Sequence, residues 1–318
     1  MPTIGFHASH EQLTPSALLV AVRAAEDAGF TGAMCSDHAA PWSVRQGQSG
    51  HAWAWLGAAL ASTTLPFGVV TAPGQRSHPA VTAQAIATLA EMFPGRCWAA
   101  LGSGEALNEH ITGDPWPPKA ARDERLLECV AVMRALLRGE EVTHHGAVHV
   151  ERARVWSLPA TPPSLLGAAV SEATARVVGG WADGLITVRQ PLPQLRRVID
   201  AFRQGGGEGK PVCVQVHLSW ASDEDEALAI AFDQWRTNVF DGSLLWELAQ
   251  PEQFDAAAAL VRPEDVASCV LVSSDLGRHT AWLAELLELG VDGLYLHHVG
   301  QTQRAFIEAF GGEVLPQL

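Results

Sequence analysis

The stretch Cys35-Ser36-Asp37-His38-Ala39-Ala40-Pro41-Trp42 carries the first residues able to do chemistry. An apolar run over residues 30–35 ends abruptly in an acid–histidine pair, and a proline and a tryptophan follow. The end of a buried parallel strand reads this way when its loop carries function. Asp37 can orient or charge-pair His38, and His38 can accept or donate a proton near neutral pH. Trp42 can wall a ring-shaped ligand and donate one hydrogen bond through its indole N–H. The structural alternative is a helix-capping aspartate beside a satisfied histidine.

A second stretch is Gly102-Ser103-Gly104-Glu105-Ala106-Leu107-Asn108-Glu109. Its glycines let backbone approach a flat ligand closely. Glu105 stands where a general acid would be, and Asn108 lies one helical turn on. The alternative is an ordinary turn with a solvated glutamate.

Elements must position these groups. Strands are expected at residues 4–8, 31–35, 65–72, 97–101, 165–170, 184–188, 212–221 and 291–298. Helices are expected at 14–29, 52–62, 79–92, 123–137, 172–179, 192–204, 223–235, 280–289 and 301–310, with a short one from Pro263. Thr14 reads as an N-cap before Pro15 and Gly29 as a stop. Residues 141–156 alternate like a hairpin turning near Gly146, and 237–261 read as an insertion. Strands alternating with helices over this length predict an α/β fold, a (β/α)8 TIM barrel with insertions, as one domain over residues 1–318. The rival, an open doubly wound sheet, is weakened by the missing G-x-G-x-x-G after the first strand.

In a barrel the residues just past each strand share one face. They are His7, Asp37-His38, Val70-Thr71, Ser103-Gly104-Glu105, Ala169-Val170-Ser171, Val188-Arg189, His217 and His297-His298. Polar groups recur there while strand interiors stay apolar, which argues for an enzyme. A hydrolase metal site would draw on these histidines and Asp37, but the first strand lacks His-x-His, so no metal is expected. Without G-x-S-x-G, a serine nucleophile is weaker still.

Composition bounds the partners. The 318 residues carry 21 Lys+Arg against 35 Asp+Glu, a formal net charge of -14, which argues against nucleic acid and anionic membranes. No stretch approaches the roughly 20 apolar residues of a membrane span, and no signal peptide is visible. Cys35, Cys97, Cys129, Cys213 and Cys269 are scattered without CxxC, which favours reduced thiols in a cytoplasmic protein.

The motifs resemble the luciferase-like flavin and deazaflavin oxidoreductases, and among them the glucose-6-phosphate dehydrogenases that use the deazaflavin coenzyme F420. The likeness spans nearly the whole chain. It is specific at Ser36-Asp37-His38 through Pro41-Trp42, at Arg76 through Pro79-Ala80-Val81, at Gly104-Glu105-Ala106-Leu107-Asn108-Glu109 and at Ala182-Asp183-Gly184. It implies an eight-fold barrel, coenzyme F420 or FMN, a small alcohol or carbonyl substrate, and a homodimer.

By the resemblance, His38 is the base for the substrate hydroxyl proton, Trp42 helps stabilise the intermediate, and Glu105 is the acid near the ring. His38 and Glu105 are expected on opposite sides of one hydride-transfer centre. Asp37, Ser103, Gly104 and Asn108 would contact the cofactor. Ala169, Val170 and Ser171 would lie at its phosphate, where the dehydrogenases carry a glycine pair and this chain has Val170-Ser171. A non-prolyl cis peptide supports the ring in this family, and the matching bond is Val69-Val70. The basic residues that hold the sugar phosphate are replaced by Pro191, Ala256 and Cys269, so glucose 6-phosphate is not the expected substrate. An FMN-dependent monooxygenase, an inactive flavin-binding barrel and a metal-dependent hydrolase are the other readings.

Overall fold

The computed structural model describes residues 1–240 and 242–318. Strands β1 (Thr3–Ala8), β2 (Gly32–Ser36), β3 (Phe67–Thr71) and β4 (Cys97–Leu101) lie side by side in parallel. An antiparallel hairpin, β5 (Val142–His145) and β6 (His149–Ala153), stands apart from that sheet, where the alternating pattern places it. The sheet continues through β7 (Ser164–Ala168), β8 (Leu185–Val188) and β9 (Val212–Ser219), then the two-residue β10 (Leu271–Val272) and β11 (Gly293–His298). β8 pairs with β9, β9 with β11, and β11 with β1, so eight parallel strands close into a (β/α)8 barrel. β10 pairs only with Leu218 and Ser219, at the far end of β9.

Closure buries both faces of each strand. Inside the ring, Met34, Ala100, Leu166, Ile186, Cys213 and Tyr295 form an apolar plug with Trp98 against it. Gly68 makes room for that tryptophan, since a Cβ there would lie 1.9 Å from the indole ring. Outside the ring, a larger core joins the strands to their helices. Caps fix where helices begin: the Thr14 hydroxyl accepts from the Ala17 N–H ahead of Pro15, and Ser171 accepts from Thr174. Such a cap contributes about 1 kcal/mol.

Some boundaries differ from expectation. The helix expected from 123 runs Lys119–Leu137, because Pro118 can precede a helix without losing a bond. The helix expected from 280 runs Leu276–Leu287, because Asp275 caps it by accepting from Gly277 and Arg278. The insertion resolves into Gly242–Leu245, Pro251–Ala257 and Ala258–Leu260, while position 241 lies outside the described residues. The Val69–Val70 bond is trans, as is every peptide among the described residues. Val70 pairs with Ser36 on one side and Ala100 on the other, so the ladder is satisfied without the roughly 3–4 kcal/mol cost of a cis bond. No helix among the described residues is long and apolar enough to cross a membrane.

Candidate active site

Barrel closure carries Asp37, His38, Glu105 and His217 to the carboxyl ends of β2, β4 and β9, at one mouth. His38 lies between two carboxylates. Its Nδ1 is 3.3 Å from Glu11 Oε1 and its Nε2 is 4.0 Å from Glu105 Oε2. The Nδ1 contact has ion-pair distance without hydrogen-bond alignment. Glu11 is buried just past β1, and its Oε2 accepts from the Ser9 hydroxyl at 2.7 Å. Sequence reasoning missed Glu11, although a polar run, Ser9 to Gln12, directly follows the apolar β1.

His38 Nε2 and Glu105 Oε2 stand 4.0 Å apart, so the two groups expected on either side of one hydride-transfer centre are neighbours at the mouth. Burial raises the Glu105 carboxyl above the usual carboxylate range, against the opposing pull of His38.

Asp37 does not turn to His38. Its buried carboxylate accepts from Trp53 Nε1 at 3.1 Å and the Thr71 hydroxyl at 2.9 Å, and pairs with Arg76 at 3.2 Å. Arg76 also donates to the Asp37 carbonyl at 2.6 Å, and its backbone N–H donates to buried Glu109 at 2.6 Å. Thus Arg76 ties the β2 loop to the Gly104–Glu109 stretch. Burial raises the Glu109 carboxyl, while Arg76 pulls it down.

The remaining residues divide by role. Gly104 has φ +86, the left-handed conformation that favours glycine, and opens a one-turn helix, Ala106–Glu109. Asn108 is buried there; its Oδ1 accepts from the Ala39 N–H at 2.8 Å and its Nδ2 donates to Glu105 at 3.3 Å. The Trp42 ring lies 5.1 Å from His38 and meets Phe254 of the insertion edge-on at 5.4 Å. Ser103 lines the same loop, half-buried. Val69 packs into the outer core, whereas Val70 leans on the interior plug. Ala169 is buried with its N–H on Ile186, and the Val170 carbonyl accepts from Gln190. The Ser171 hydroxyl is engaged as a helix cap. Asp183, in the Ala182-Asp183-Gly184 motif, is structural: it accepts from the Leu165 N–H and from Arg134, each at 2.8 Å.

On the β9–β11–β1 side the histidines meet one another. The His7 and His297 rings lie 4.5 Å apart, His217 and His297 5.3 Å apart. Burial lowers His7 and His297 well below their ordinary range and takes His217 to about 4. His297 Nε2 pairs with Gln12 Oε1 at 2.8 Å, and Gln215 contacts His217 at 3.1 Å. No cluster of His, Cys, Asp or Glu among the described residues could hold a metal ion.

Known proteins share this architecture. Residues 2–293 match the family model described as luciferase-like monooxygenase. An F420-dependent glucose-6-phosphate dehydrogenase of Beutenbergia cavernae is 33% identical over 329 residues, covering 100% of this chain and 98% of that protein. An F420-dependent hydroxymycolic acid dehydrogenase of Mycobacterium tuberculosis is 31% identical, covering 99% and 88%. A solved F420-dependent secondary alcohol dehydrogenase, in complex with an F420-acetone adduct, superimposes with TM-score 0.91 at 28% identity, covering 100% and 99%. Similarity at this identity over the full length, on a closed barrel with its polar groups at one mouth, has one consequence: the chain belongs to the luciferase-like family of oxidoreductases.

Proposed function

We propose that this protein is an F420-dependent oxidoreductase that transfers hydride between the cofactor ring and a small alcohol or carbonyl substrate other than glucose 6-phosphate. The carrying observation is the row Glu11–His38–Glu105 at the barrel mouth. FMN is the second candidate cofactor, and F420 is favoured by the names of the relatives. A cytoplasmic homodimer belongs to the same reading.

The mouth fits a flat ring. A Cβ on Gly102 would make only ordinary contacts, with Ala168 at 3.7 Å and the Thr71 carbonyl at 4.0 Å, so the β4 end is uncrowded without being empty. Val70, Ser103, Gly104, Asn108 and the Ala169–Ser171 backbone would hold the group, with Asp37 supporting the loop beneath. Bound there, the ring supplies the hydride acceptor or donor.

The protein's own residues manage protons and position. His38 takes the hydroxyl proton of an alcohol at its Nε2, the nitrogen on the Glu105 side. Glu11, 3.3 Å from Nδ1, stabilises the imidazolium that results. Glu105, its carboxyl raised by burial, holds a proton more readily than an ordinary glutamate and can manage charge beside the ring. Trp42, wedged between His38 and Phe254, holds the imidazole in place and excludes water. Pro191, Ala256 and Cys269 offer no cation at the places the resemblance assigns to a sugar phosphate.

The test titrates F420 and FMN separately into the parent and His38→Ala, read by absorbance, followed by single-turnover rates on short secondary alcohols. His38→Ala is expected to bind cofactor nearly as well and to lose roughly 10²–10⁴-fold in turnover. Parent-like turnover in that variant would reduce His38 to a ring contact. Saturable oxidation of glucose 6-phosphate by the parent would overturn the substrate exclusion.

A further inference from the structure

The end of β8 carries polar groups that the proposed chemistry does not use. Arg189, the first residue past β8, is half-buried, and its backbone N–H donates to the Gln215 carbonyl of β9 at 2.8 Å. No carboxylate pairs with its guanidinium among the described residues. By contrast, Arg76 is paired with Asp37 and Glu109, Arg122 with Glu247, and Arg125 donates to the Gln75 amide oxygen at 2.9 Å. The charge-bearing neighbours of Arg189 are His217 and the Cys269 thiol. Neither is an anion: burial pushes the Cys269 thiol up to about 11, and the buried His217 ring, lowered to about 4, is neutral. Next to it, Gln190 donates to the Val170 carbonyl at 3.0 Å, and its Oε1 is a buried acceptor without a partner among the described residues.

Placement gives these groups meaning. Around the ring the order is β1, β2, β3, β4, β7, β8, β9, β11, so β8 is four strands from β2 and stands on the opposite wall from His38. An eight-stranded barrel is wide enough at its mouth for one small ligand. A partly buried guanidinium without an anion is costly unless a ligand supplies one, and its fork matches a carboxylate bidentately.

We propose that Arg189 receives a carboxylate on the substrate, so that the enzyme acts on short hydroxy or oxo acids spanning from His38 to the β8 end. Gln190 Oε1 accepts a hydrogen bond from a second polar group of the same molecule. A single guanidinium with no second cation suits a monoanion better than a phosphate dianion, in agreement with the exclusion of glucose 6-phosphate. The inference rests on the proposed function for which carbon reacts, but its binding arm does not.

The experiment uses the full chain with and without F420, and two probes that differ only in charge: 4-hydroxypentanoate and its primary amide. In the parent the acid is expected to raise the melting temperature more than the amide does. Its kcat/KM is expected to exceed that of the amide by about tenfold or more, equivalent to about 1.4 kcal/mol. Arg189→Met should abolish both differences by lowering the acid's effects far more than the amide's, and Arg189→Lys should restore part of the thermal shift. Equal effects of the two probes in the parent, or equal losses for both in Arg189→Met, would overturn the assignment. An acid-specific thermal shift without turnover would uphold Arg189 and reject the oxidoreductase reading. Turnover of neutral alcohols with no preference for the acid would do the reverse.

Discussion

Two walls of the same barrel mouth use histidine in opposite ways. On the β2–β4 side, His38 has a carboxylate within 3.3 Å on one nitrogen and another at 4.0 Å on the other. Beneath it, Asp37, Arg76 and Glu109 form a buried charged network. On the β9–β11–β1 side, His7, His217 and His297 are surrounded by one another and by Arg189. His38 has carboxylates as its neighbours; a proton on any of the three rings opposite is penalised by burial and by like charge. Residue type alone therefore does not mark a base. The sign of the neighbouring charge does.

The largest expected consequence is acid sensitivity. His7, His10, His217, His279, His297 and His298 all have ring nitrogens lowered by burial, His217 to about 4 and His298 to about 3. Below pH ~6.5 the unfolded chain protonates these rings and the folded chain does not. The unfolded state then binds more protons, so stability rises with pH through this window and falls as acid is added. Each such ring contributes about 1.4 kcal/mol per pH unit until the folded ring also titrates. Glu105 and Glu109 work the other way, since raised carboxyls keep protons longer when folded, but they are two against six. Urea unfolding between pH 7 and pH 5 should show a loss of several kcal/mol. A flat profile would break the contrast between the walls.

Next in size is Arg76→Met. The substitution keeps most of the packing volume and leaves buried Asp37 and Glu109 without their cation. Breaking a buried pair from one side costs about 3–5 kcal/mol, and denaturant titration would read it. A loss under about 1 kcal/mol would mean that Trp53 and Thr71 hold Asp37 unaided.

The sequence exposed the barrel because apolar strands and capped helices are local signals. Thr14 ahead of Pro15, and Cys97–Leu101 running into glycines, can be read from adjacent residues. It exposed the site to the extent that chemistry follows strand ends. What it hid is non-local. Asp37 precedes His38 in the chain, yet its carboxylate faces Trp53, Thr71 and Arg76 from later elements. Glu11 reaches His38 across 27 positions, through the pairing of β1 with β2. Arg189 is marked by a guanidinium that pairs with no carboxylate among the described residues, which no spacing shows.

Glu11→Gln sharpens the contrast on the chemical side. The amide keeps the shape and an acceptor for Ser9 but removes the charge beside His38. Turnover is expected to fall roughly tenfold, about 1.4 kcal/mol, with cofactor affinity unchanged. The matching change opposite, Gln12→Glu, places a carboxylate 2.8 Å from His297 Nε2. It should raise the proton affinity of that ring and reduce the acid sensitivity, without creating a second base at the mouth.

An effect of similar size tests how the charged wall is held together. Asn108 joins the two loops that carry His38 and Glu105: it accepts from the Ala39 N–H at 2.8 Å and donates to Glu105 at 3.3 Å. Asn108→Ala strands a half-buried N–H and frees Glu105, which costs about 1–2 kcal/mol by thermal melt. Asn108→Asp keeps an acceptor for Ala39 but turns the second contact into carboxylate against carboxylate. Its stability should lie between parent and alanine variant at low pH and fall toward the alanine variant as both acids ionise. The crossing separates the two bonds, because only the contact with Glu105 depends on pH. If both variants melt with the parent at every pH, the β2 and β4 loops are held by Arg76 alone, and Asn108 serves only the ligand.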